Sequence, residues 1–132
     1  VANPNIVSVT SILGTTTYLT PSAITAVVLL ANTAASGLVY KINQIVAANV
    51  NGAAAVNTTV SVYTNGGVVQ GSAPSGGTAF PICSTVSVPA SASLIVVDKG
   101  TAVYLMEGTS ISVTSGTASG ITYTISYESI AA

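Results

Sequence analysis

The side chains in this chain that could move a proton, hold a metal ion or attack an electrophile are few. They are Lys41, Cys83, Asp98, Lys99, Glu107 and Glu128. Three of them fall within one stretch, residues 94–108, LIVVDKGTAVYLMEG. There is no histidine, so no Ser–His or Cys–His pair can activate a nucleophile. Glu107 with Glu128 is the one carboxylate combination of interest. Each stands at a turn or strand end among small polar residues, where a solvated carboxylate is the ordinary outcome, and acid/base work needs two carboxylates fixed in a cleft. The acids form no cluster that could hold calcium, and zinc lacks its ligands. The glycines come as Gly-Gly pairs with no helix after them, so no phosphate cradle is expected. Cys83 has no basic sequence neighbour to lower its pKa. It reads as a packing residue on the face opposite Ile82, Ser84, Val86 and Val88. The chemistry implied is none: not an enzyme, no metal, no cofactor.

What can use so little charge? The chain has 132 residues, enough for one domain with a core of ordinary size. It is 49% hydrophobic and 4% charged, against about 25% charged in ordinary soluble domains. Two lysines cannot build a phosphate-binding surface, which excludes nucleic acid as partner. No apolar run approaches the ~18 residues of a spanning helix; the longest is Ala26–Ala31. The tyrosines do not form the two girdles of a transmembrane barrel, so no membrane role is expected. The opening VANPNIV has no basic segment leading into an apolar one, so no signal peptide is visible. A single cysteine allows no internal disulfide.

The elements that must position these residues read as strands throughout. In ITYTISY, residues 121–127, Ile and Tyr alternate with Thr and Ser, the mark of a half-buried antiparallel strand. Strand cores are expected at 6–12, 24–30, 38–48, 57–63, 82–88, 93–98, 102–106, 110–114 and 121–128, separated by Gly, Asn and Pro turn signals. Leu38, Tyr40 and Ile42 share a face, but the next apolar residue is Ile45, which predicts a β-bulge near Asn43-Gln44. The fold class is all-β: a single antiparallel β-sandwich of about eight or nine strands, jelly-roll-like, over 1–132. Residues 1–14 form an N-terminal arm or strand, and the Gly/Ser-rich segment 64–79 a flexible loop.

Three runs, Ile24–Leu30, Leu94–Val97 and Ala102–Met106, are apolar on both faces. The outer face of a sandwich strand should meet water, so these need cover from a loop, the N-terminal segment or another subunit. With Lys41 and Lys99 alone, the sheet edges are almost unguarded. Ile24, Val27, Val28, Leu29, Leu30, Leu94, Ile95, Val97, Tyr104 and Met106 are therefore the candidate interface of a homo-oligomer.

The segments VANPNIVSVTSILG, YKINQIVAANVNG, SVPASASLIVVDKGTAVYLMEGTSISVTS and YTISYESI cover more than half of the chain. They resemble small virion structural proteins of tailed bacteriophages, particularly those of cyanobacterial and marine hosts. In that family an Asp often follows the Glu-Gly turn; here Thr109 takes its place, which puts any carboxylate role there in doubt. The resemblance implies a structural protein made in the bacterial cytoplasm and carried in the virion. The expected role is capsid decoration, as a homo-oligomer (trimer first) seated on the major capsid protein or other virion proteins. Two alternatives stand: a tail or fibre-base component, and a carbohydrate-binding module using Tyr18, Tyr63 or Tyr104.

Overall fold

The structure is a computed structural model that describes residues 4–131. Among these residues the chain forms nine strands: β1 (Ser11–Leu19), β2 (Val27–Asn32), β3 (Leu38–Asn49), β4 (Val56–Tyr63), β5 (Ala79–Val88), β6 (Ser93–Val97), β7 (Val103–Leu105), β8 (Thr109–Ser115) and β9 (Ile121–Ala131). They make two antiparallel sheets. Sheet A runs β1-β9-β3-β6, with β7 also on β3; sheet B runs β2-β8-β4-β5. The fold is an all-β sandwich, as the alternation predicts. The slip in β3 is a bulge, since its register with β9 shifts between Ile42 and Gln44.

The two sheets meet over an apolar core. Ile42, Ile45, Ile121, Tyr123 and Ile125 of sheet A pack with Leu29, Val60, Ile111 and Val113 of sheet B. Apolar packing alone leaves many alternative arrangements, and polar ties across the layers select one. Tyr123 supplies the central tie. Its hydroxyl reaches from β9 to donate to the Thr114 carbonyl at 2.8 Å and also meets Thr58 Oγ1, both on sheet B.

Two buried asparagines tie the ends. Asn32, at the end of β2, donates to the carbonyls of Leu38 and Leu105 at 3.0 Å each, and accepts from Ser36 Oγ at 2.6 Å. Asn49, at the end of β3, donates to the carbonyls of Val88 at 2.9 Å, Ala54 at 3.0 Å and Pro89 at 3.1 Å. Its own oxygen accepts from Asn51 N–H at 2.8 Å. Each thus satisfies buried backbone groups of the opposite layer.

The outer side of sheet B is closed by the chain itself. Val28, Ser112 and Ser61 lie side by side there, next to Ser110 and Tyr63, and all are buried. The 64–79 segment supplies the cover. It also runs along the β2 edge, where Gly71 N–H donates to the Val28 carbonyl and Val28 N–H to the Ser72 carbonyl, at 2.8 and 2.9 Å. Ser110 Oγ donates to the Asn65 carbonyl at 2.8 Å, and Tyr63 hydroxyl exchanges hydrogen bonds with Gly77 at 3.0 Å. Gly66 lets this loop approach: a Cβ there would collide with the Asn32 carbonyl oxygen and lie 2.8 Å from that of Thr109.

Two expectations about the strands need correction. The first strand is not 6–12 but Ser11–Leu19, while the chain before it turns through Asn5, whose side chain accepts from Val7 N–H at 3.0 Å. Of the expected arm over 1–14, residues 1–3 lie outside the described residues. Cys83 does not lie opposite the apolar face of β5. Irregular register with β4 around Val60 turns it, half-buried, against the core. Burial raises its pKa, partly offset by a hydrogen bond with the Val60 backbone, so it is not poised as a thiolate nucleophile.

Asn49→Ala removes four hydrogen bonds, three of them to carbonyls of the chain's other segments, and is expected to destabilise the fold by about 2–4 kcal/mol in urea unfolding. A loss under ~0.5 kcal/mol would mean water replaces the side chain. For Tyr123, burial outweighs the Thr58 hydrogen bond, and proximity to Cys83 adds to burial, lifting the phenol to about 12 from 10.0. The unfolded chain ionises first. Stability tied to the neutral phenol is whole below pH 10 and is lost as pH rises through about 12. Tyr123→Phe should therefore be less stable at neutral pH but lose less on going alkaline, as read by melting temperature against pH. Equal alkaline slopes in both proteins would count against this role.

Candidate functional site

Most of the chain's charge gathers at the outer face of sheet A, where Val39 and Ile130 are buried and the other side chains reach the surface at least in part. Cross-strand register arranges it in rows. One row is Ile12, Ile130 and Val39; the next is Gly14, Glu128, Lys41 and Tyr104. Then come Thr16, Ser126 and Gln44, followed by Tyr18, Thr124, Val46 and Ile95. Lys41 stands directly across from Glu128, at the middle of the face. Apolar side chains flank this polar belt on both sides: on one side Ile12 is exposed while Ile130 and Val39 are buried, and on the other Tyr18 and Ile95 are exposed.

The bulge in β3 determines what the belt looks like. β7 pairs with Tyr40–Ile42 and β6 with Ile45–Ala48, so the link between them falls at the bulge. That link is a single 3-10 turn, Lys99–Thr101, capped by Asp98, whose Oδ1 accepts from Gly100 N–H at 2.9 Å and Thr101 N–H at 3.1 Å. A polar depression of about 300 Å³ opens between turn and bulge, lined by Asn43, Gln44, Asp98, Lys99 and Ser126. Asn43 Nδ2 donates to Glu128 Oε1 at 2.9 Å. Its Oδ1 is buried with no hydrogen-bond partner among the described residues.

A second cavity, about 340 Å³, lies between β1 and β2 where the sandwich opens at its side. Leu29, Leu30, Tyr40 and Tyr127 line it, and the loop at Gly66–Gln70 closes it above. The Tyr40 and Tyr127 rings sit 4.9 Å apart at 46°. Burial raises the pKa of both phenols. The lining is mainly apolar, with Thr17, Thr33, Gln70 and the two tyrosines as its polar side chains.

The two carboxylates weighed as a pair are not brought together on one element. Glu128 belongs to the belt, whereas Glu107 Oε1 accepts from Gly37 N–H at 3.1 Å in the turn before β3. No group of three or more His, Cys, Asp or Glu side chains suited to a metal occurs among the described residues.

The ten candidate interface residues divide. Ile24, Ile95, Tyr104 and Met106 are exposed, and Ile95 and Tyr104 share the outer face of sheet A. Val27 and Leu94 are half-buried against the core. Val28, Leu29, Leu30 and Val97 are buried within the chain and present no surface to a partner. The physical reason is local. A register shift between Val28 and Leu30 sends Leu29 and Leu30 into the core, and the chain's own loop covers Val28. Val97 meets Ile45 beside a further shift, and packs into the core. The expected interface left out Ile12 and Leu13, and Tyr18 was weighed only for sugar binding; all three are exposed on β1, at 57, 65 and 72%. Of the three tyrosines weighed for sugar binding, Tyr63 is buried under the loop; Tyr18 and Tyr104 are exposed.

No protein family, no curated protein and no solved structure matches this chain.

Proposed function

We propose that this protein is a non-enzymatic structural component of a tailed-phage virion, and within it a capsid decoration protein that strengthens the head shell. The observation that carries the reading is the outer face of sheet A. It is a broad sheet surface bearing Ile12, Tyr18, Ile95 and Tyr104 around a short belt of charge. Exposed apolar side chains in rows suit a surface that docks. The nested pairing of β1 with β9, β2 with β8, β3 with β6 and β4 with β5 supports reading the sandwich as a jelly roll. Viral capsid domains, lectins and cupins share that architecture, so the fold alone does not choose among them. The sequence resemblance described above favours the virion. In this reading the protein self-associates and seats on the major capsid protein, and binding only the assembled shell stabilises the assembled state.

Contacts with so little charge have little for salt to screen. Binding to heads of the phage that encodes the protein, followed by co-sedimentation, should change less than about threefold between 0.05 and 1 M salt. Ile95→Lys, which puts an unpaired charge into the docking face, should weaken it by about tenfold or more. Binding to isolated tails and not to heads would move the protein along the particle. Binding to neither would defeat the proposal.

A further inference from the structure

A sandwich of two open sheets has four edges, and this chain protects three of them. Along β2, Gly71 and Ser72 of the loop take up the Val28 backbone groups at 2.8 and 2.9 Å. On β5, Pro81 removes a donor, and the register with β4 shifts twice. The edge formed by β6 and β7 is broken into pieces of 5 and 3 residues by the Lys99–Thr101 turn. Short, interrupted edges template poorly.

The fourth edge is different. β1, SILGTTTYL, runs 9 residues with no charge, no proline and an unbroken register on β9. Among the described residues, one side chain hydrogen-bonds its free side: Gln70 Nε2 donates to Thr17 Oγ1 at 3.1 Å and to the Tyr18 carbonyl at 3.3 Å. That touches only the end of the strand. It also reveals the strand's orientation. The Tyr18 carbonyl points away from β9, so by two-residue alternation the backbone groups of Ile12, Gly14 and Thr16 point to the free side too.

We propose that the occupant of this edge is β1 of a second copy of the chain, antiparallel and related by a two-fold axis at Thr15. The strand is complementary to itself in that register. Ile12 faces the partner's Tyr18 and Gly14 the partner's Thr16; these are the residues whose backbone groups face outward, so they make the hydrogen-bonded pairs. Leu13 faces the partner's Thr17, and Thr15 the partner's Thr15. Ile–Tyr and Thr–Thr are favourable cross-strand pairs, and the register gives two of the first and one of the second, on the axis, without any like charges meeting. Ile12 and Tyr18, exposed in the single chain, cover each other on the outer face. The Tyr18 carbonyl has a second lone pair, so Gln70 need not leave. Sheet A then continues across the axis into its copy, and the isologous contact closes on itself. This inference rests on the self-association part of the reading above, and gives a pair as its elementary unit where the sequence suggests a trimer.

The test combines native mass with cross-linking. The wild-type chain is expected as a dimer. Thr16→Pro removes an N–H that serves only the free edge, and should raise the dimer dissociation constant by at least about tenfold. Leu13→Lys, an inward-pointing charge of the kind that guards natural edges, is a second variant should the proline disturb folding by circular dichroism. In a Cys83→Ser background, Thr15→Cys should give a covalent dimer with diamide, because the axis brings the two positions within disulfide reach. Ser11→Cys, far from the axis, should not. A stable oligomer that both β1 variants leave intact, with no Thr15→Cys cross-link, would overturn edge pairing while sparing self-association. A monomer at all concentrations would overturn both.

Discussion

The Tyr123 hydroxyl is the contact on which the two-layer arrangement turns. It leaves β9 in the middle of sheet A, crosses the apolar core and meets Thr58 and the Thr114 carbonyl on sheet B. Buried among isoleucines and valines, a phenol finds acceptable partners in few registers of one sheet over the other. Asn32 and Asn49 apply the same constraint at the ends of β2 and β3, each by binding carbonyls from the opposite layer. The chain uses uncharged amides and hydroxyls where other proteins use ion pairs. That choice suits an interior in which an unpaired charge would be costly, and it holds the sandwich without drawing on its few charged side chains.

Those few charges are then free to gather on one surface, and a single extra residue explains where. The bulge at Asn43 lets β6 and β7 share β3 with a turn between them, and the turn carries Asp98 and Lys99 to the rim of the depression that Asn43 and Gln44 line. Lys41 and Glu128 face each other one row away. Local backbone geometry, in this way, produces the one polar belt of the outer face and leaves apolar rows on either side of it.

Much of this was legible in the sequence, for identifiable reasons. Period-2 alternation, and for β6 and β7 short apolar runs, bounded by turn residues located β3 to β9 within a few residues, and the apolar phase slip after Ile42 disclosed the bulge. The first strand was not legible, because Gly14 to Thr17 carries hydroxyls on both faces and shows no apolar period; its pairing with β9, distant in sequence, makes it a strand. The run Val28–Leu30 looked two-sided, yet its cover is the chain's own loop, and no local pattern announces where a loop of glycine and serine will lie. Cys83 was turned by irregular pairing with β4, a property of two strands that neither sequence alone carries. The depression at Asn43 was likewise invisible, since it needs β3, β9 and the Asp98 turn at once.

Edge protection distinguishes a protein that must stay apart from one that must join. If β1 were merely a tolerated defect, some charge, proline or bulge within its nine residues would be the inexpensive remedy, and the same chain applies such remedies on β5 and around β6 and β7. Its plain hydroxyl and aliphatic composition also keeps the contact specific. Backbone hydrogen bonds supply attraction along the whole edge, while Gly14 and the threonines allow close approach without an extended greasy strip that would recruit unrelated strands. A surface joined in this way extends sheet A laterally and keeps its outer face, with Tyr104, Ile95 and the charged belt, turned to one side. In the proposed pair two chains would present one continuous face instead of two separate ones, and docking through it would gain from both copies at once.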